Sequence, residues 1–68
     1  MSAEEAIRIA REYAAHQGRD VEQYDPEATR VDDEWHVFFR GKELLPGNFF
    51  SVYVNDATGT VRDLFPGK

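Results

Sequence analysis

The hydrophobic period of this chain changes once, and that change dictates the architecture. From Ala3 to Gln17 the apolar residues recur at helical spacing, whereas from Glu34 onward they alternate. One helix followed by a run of strands makes an α+β fold: an N-terminal helix packed on one face of a three- to four-stranded antiparallel β-meander.

The helix carries its own start and stop signals. Ser2 and Glu5 fit a capping box, in which hydroxyl and carboxylate each satisfy a free backbone N–H. Ala3, Ala6, Ile7, Ile9, Ala10, Tyr13 and Ala14 fall on one side of the helical wheel, with Glu4, Glu5, Arg8, Arg11, Glu12 and Ala15 opposite. Glu4 and Arg8 are spaced for an i,i+4 ion pair. Gly18 supplies the left-handed C-cap. The small side chains of Ala6, Ala10 and Ala14 allow close approach to a sheet, and a helix this short needs that sheet to persist.

The strands follow. Val21 to Tyr24 reads as a short edge strand ended by Asp25-Pro26, and Ala28 to Val31 leads through an Asp32-Asp33 turn. Trp35, Val37 and Phe39 alternate with His36, Phe38 and Arg40; Phe50, Val52 and Val54 alternate with Phe49, Ser51 and Tyr53. Between them, Gly41 to Asn48 is a loop with a Pro-Gly turn. Asn55 to Gly59 reads as a turn closed by a left-handed glycine, and Thr60 to Leu64 as the last strand. By parity Trp35, Val37, Phe39, Phe50, Val52, Val54 and Val61 face the helix. His36, Phe38, Arg40, Ser51, Tyr53, Arg62 and Leu64 fall on the other face.

Sixty-eight residues make one domain, residues 1–68. Five Phe, three Tyr and one Trp give it a core, since each ring buries roughly 150–250 Å². With no cysteine, disulfides and thiolate metal sites are excluded. Thirteen Asp/Glu against eight Lys/Arg leave a net charge of −5, which argues against nucleic acid and anionic membranes as partners. The same charge fits a basic protein partner or plain solubility. The acidic beginning, Met1-Ser2-Ala3-Glu4-Glu5, is unlike a signal peptide, and no apolar run is long enough to span a membrane, so a cytoplasmic protein is expected.

The residues that carry chemistry have structural roles open to them. His16 suits the negative end of the helix dipole. His36 has no second His or Cys at metal-ligand spacing, so it reads as a solvated strand residue. The run Asp32-Asp33-Glu34 lacks the alternation of a calcium loop; it is a solvated turn or a contact for a basic partner. Ser51 lies in a strand without a nucleophile elbow, and the scattered glycines form no phosphate loop. The chain is therefore expected to be no enzyme and to need no cofactor or metal.

The sharper signal is surplus apolar surface. A single helix covers one sheet face, yet Phe38, Phe49 and Tyr53 have the opposite parity, and the loop adds Leu44 and Leu45. These residues build an interface, or their rings fold over the sheet rim. As an interface they would bind a protein partner or a second copy of the chain.

The helix beginning Ala6-Ile7-Arg8-Ile9-Ala10, the run Trp35-His36-Val37-Phe38-Phe39, the loop Pro46-Gly47-Asn48-Phe49-Phe50, the strand Val52-Tyr53-Val54 and the hairpin Thr58-Gly59-Thr60-Val61 together resemble two kinds of small bacterial α+β domain. One is the PepSY-like domains; the other is the immunity proteins of toxin systems with an NTF2-like or cystatin-like fold. The loop departs from the pattern, with Pro46-Gly47-Asn48 where a double glycine is usual. The immunity likeness implies a cytoplasmic protein that binds and blocks a toxin, often through acidic residues. The PepSY likeness implies an inhibitory, protein-binding module. Neither carries over a catalytic residue. The expected function is thus a small protein-binding module, an immunity-type inhibitor or a homodimerising accessory domain. Its candidate contacts are Asp32, Asp33, Glu34, Phe38, Leu44, Leu45 and Tyr53.

Overall fold

A computed structural model describes residues 1–43 and 46–67. Helix α1 (Ala3–His16) is followed by a 3-10 turn at Val21–Gln23 and four strands: β1 (Tyr24–Val31), β2 (Glu34–Gly41), β3 (Phe49–Asn55) and β4 (Val61–Pro66). The strands form one antiparallel sheet in the order β1-β2-β3-β4, a meander with α1 on one face. No helix among the described residues is long and apolar enough to cross a membrane.

Both ends of α1 are closed locally. Ser2 Oγ accepts the Glu5 N–H at 3.2 Å, while the return bond from the Glu5 carboxylate is absent among the described residues. Gly18, at φ 85°, lets the Gly18 and Arg19 N–H groups donate back to the Ala15 and Ala14 carbonyls, a Schellman arrangement. Arg8 pairs with Glu12 at 3.4 Å instead of the expected Glu4. Both carboxylates lie one turn away on the exposed side, and such pairs differ by only about a few tenths of a kcal/mol.

The alanine face does what its spacing implies. Ala6, Ala10 and Ala14 are fully buried against Val37, Phe39, Phe50, Val52 and Val54, with Ile7, Ile9, Tyr13 and Trp35 at the margin. The rings of Phe39 and Phe50 stack at 4.5 Å, Tyr24 meets Phe50 edge-on at 4.8 Å, and the Arg19 guanidinium covers Phe50 at 4.9 Å.

Two parts of the sheet depart from the sequence expectation. Val21 to Gln23 forms a 3-10 turn, not a strand, and Pro26 sits inside β1. The reason is edge position. The Lys42 N–H donates to the Gln23 carbonyl, which makes Tyr24–Gly41 a non-hydrogen-bonded pair. By alternation Pro26–Phe39 is another, so the donor that proline lacks would have pointed away from the sheet.

The second departure is at β4, which runs on to Pro66. Its register slips between Tyr53 and Val54: Asp63 pairs with Tyr53, and Val61 with Val54. Arg62 is the extra residue of this bulge, and every residue after it changes face. Leu64 therefore packs into the core beside Val52, correcting its expected place on the open face.

Candidate functional site

The sheet face turned away from α1 carries Asp25, Glu27, Thr29 and Val31 from β1, and Glu34, His36, Phe38 and Arg40 from β2. β3 adds Phe49, Ser51, Tyr53 and Asn55, and β4 adds Asp63 and Phe65 beside the bulged Arg62. No described element covers it.

Its centre is a continuous aromatic layer. Phe49 and Phe38 lie 5.7 Å apart between centroids, Phe38 and His36 6.3 Å, His36 and Tyr53 4.9 Å and nearly parallel, and Tyr53 and Phe65 5.6 Å edge-on. Phe49 and Phe65 remain 41% and 45% exposed, so the two end rings meet water, while Phe38, His36 and Tyr53 are half-buried between them. Ser51 lies at the middle, paired across the strands with Phe38 and Phe65, and its Oγ is 2.8 Å from His36 Nε2.

A serine and a histidine at that distance meet the first requirement of a nucleophile and its base. No third group joins the pair by a hydrogen bond among the described residues. β3 is an inner strand, so its backbone N–H groups pair with the strands on either side. No carboxylate hydrogen-bonds the His36 ring among the described residues. The bond instead holds the imidazole flat against Tyr53.

The border of the face is charged. Arg62 donates to Glu34 at 2.7 Å and lies 4.6 Å over the Tyr53 ring, while Arg40 meets Glu27 at 3.5 Å. Asp25 and Asp63 take no ion pair among the described residues. Asp63 does accept the N–H of Leu64 at 2.8 Å.

That bond removes a donor from a sheet edge. The Gly67 N–H donates to the Phe49 carbonyl, so Phe50–Pro66 is a non-hydrogen-bonded pair, and Leu64 and Pro66 turn their backbone polar groups outward. Proline has no N–H, and the N–H of Leu64 is taken by Asp63. Neither offers a free donor to an added strand.

The expected contact residues are divided by the fold. Phe38 and Tyr53 stand in the aromatic layer, and Glu34 lies on its border, neutralised by Arg62. Asp32 and Asp33 form the exposed tip of the β1–β2 hairpin; Asp32 takes φ 55°, a conformation that aspartate tolerates, and its carbonyl accepts from Arg30. Leu44 and Leu45 lie outside the described residues. Phe65 escaped the sequence reading because it follows the bulge. His36 looked solvated because a single strand does not show that Tyr53 and Ser51 stand across from it.

At the far end of the sheet from Trp35, a depression of about 230 Å³ is lined by Asp20, Gln23, Tyr24, Glu43 and Asn48. The described Asp, Glu, His and Cys residues form no cluster suited to a metal ion. No family model, curated protein or solved structure matches the chain.

Proposed function

We propose that this chain is a protein-binding module that works without catalysis and docks its partner on the open face of the sheet. The observation that carries this reading is the connected aromatic layer running from Phe49 through Phe38, His36 and Tyr53 to Phe65, half-buried at its centre and exposed to water at both ends. Large rings held by their neighbours lose little side-chain freedom on binding, so much of the area they bury goes into affinity. An inhibitor of the immunity type would use such a face by covering a working surface of its target.

A photo-crosslinking residue at Phe65, compared with one at Glu12 on the exposed side of α1, tests this in the cells that make the protein. A discrete protein adduct from position 65 and none from position 12 is the expected result. Adducts of equal yield from both positions, or none from 65, would sink it. An adduct of twice the chain mass from position 65 would identify the partner as a second copy.

A further inference from the structure

The border of the aromatic face specifies the chemistry of its partner. Resting on the binding role proposed above, we propose that the face takes a protein surface whose apolar side chains are bordered by Lys or Arg, and that Asp25 and Asp63 receive those cations.

Four carboxylates share the face with two guanidinium groups: Asp25, Glu27, Glu34 and Asp63 with Arg40 and Arg62. Arg40 meets Glu27 and Arg62 meets Glu34, and Asp25 and Asp63, which lie beside these arginines, leave the face two negative charges in excess. What remains is an aspartate on each edge strand, with the aromatic layer between them. The acidic hairpin tip at Asp32 and Asp33 adds to the field at one end. Two copies of this face would oppose like charges, which disfavours self-association, whereas a basic border is attracted along two sides and oriented by them. The rings support the same choice. Tyr53 already holds a guanidinium at 4.6 Å, so an aromatic ring of this face accepts a cation. Phe65 lies beside it and Phe38 beyond His36, and no such contact occupies either ring among the described residues.

This assignment differs from an acidic turn acting alone. Glu34, the third member of the acidic run, is spoken for, and the two edge aspartates were not singled out by any charge run. Asparagine at position 63 keeps the oxygen that caps the Leu64 N–H, so Asp63→Asn removes charge without opening the edge.

The probes are two synthetic amphipathic peptides with identical leucine positions, one flanked by arginine and the other by glutamate. Each is titrated into the labelled protein while backbone amide shifts are followed. The arginine peptide is expected to move the amides of Phe38, Ser51, Tyr53 and Phe65. Its affinity should fall roughly fivefold or more in the Asp25→Asn/Asp63→Asn variant, as two border charges of ordinary strength imply. It should also weaken as salt rises from low to physiological levels. Equal binding of the glutamate peptide at the same amides would overturn the cationic partner while leaving the face as a docking surface. Shifts confined to α1 would overturn the proposal, as would an unchanged affinity in the double variant. Concentration-dependent dimers that Phe65→Ser disperses would replace the basic partner with a second copy.

Discussion

The indole N–H of Trp35 donates to Oδ1 of Asp56 at 2.7 Å and ties the β2 strand to the β3–β4 turn. Arg30 reaches the other carboxylate oxygen at 3.1 Å, and the Asp56 N–H donates to the Asp33 carbonyl. Asp56 therefore ties both turns at this end of the sheet, by its carboxylate and by its own N–H.

This predicts a contribution to acid lability. The indole hydrogen bond first, and the Arg30 charge with it, outweigh desolvation and hold the Asp56 carboxyl below its ordinary range. A lowered folded-state pKa means that the unfolded chain takes up the proton first. The stabilisation is therefore complete above the unfolded value, about 3.9, and is lost as pH falls through the folded one. Asp56→Asn should be less stable at neutral pH and show a flatter acid limb than the wild type. Denaturant melts from neutral pH to pH 3 check this; parallel limbs for the two proteins would refute it.

A second prediction concerns the β4 edge. Asp63→Ala frees the outward N–H of Leu64, and Pro66→Val restores a donor two residues on. The double variant should keep its fold but associate through β4 as it is concentrated, because an edge strand with free donors is a template for further strands. Light scattering over a concentration series reads this directly. A double variant as monodisperse as the wild type would show that the edge is guarded by something else.

Gly41 predicts a local loss of stability. It is buried, its N–H donates to the Asn48 carbonyl at 2.8 Å, and the Asn48 amide crosses it to donate to the Glu43 carbonyl at 2.8 Å. A Cβ on Gly41 would collide with that side chain and with the carbonyl oxygen. Gly41→Ala should cost about 1–3 kcal/mol, as overpacked sites do. Adding Asn48→Ala should not restore the loss, because the backbone obstacle stays. Full rescue in a denaturation experiment would place the whole conflict in the Asn48 side chain.

What the sequence made legible was what short-range rules determine. The alanine face of α1, the alternation of β2 and β3 and the Asn55–Gly59 turn follow from period, capping and turn chemistry. In that turn Asn55 Oδ1 accepts the Ala57 and Thr58 N–H groups, and Gly59 takes φ 73°. What stayed hidden depends on a neighbour. Pro26 is tolerated because β1 has a partner on one side only, and Leu64 and Phe65 exchange faces because of a bulge that Arg62 does not announce. The site suffered most, since its rings come from three strands and its charges are set by pairings across them. Glu34 looked free within its acidic run and is held by a residue 28 positions away.

Phe38 and Phe39 are adjacent in sequence, and the last prediction separates them. Phe39 is fully buried and stacked on Phe50, whereas Phe38 is half-buried on the open face against Phe49 and His36. Phe39→Ala should cost about 3–5 kcal/mol through lost contacts and the cavity left behind. A domain of this size holds only about 0.05–0.15 kcal/mol per residue, so that variant should be largely unfolded or close to it. Phe38→Ala leaves no closed cavity and should cost about 1 kcal/mol, within the usual range for a single substitution. Circular dichroism and urea melts of the two variants make the comparison. If Phe38→Ala unfolds the chain as readily as Phe39→Ala, the open face serves the stability of the fold and ceases to be a candidate docking surface.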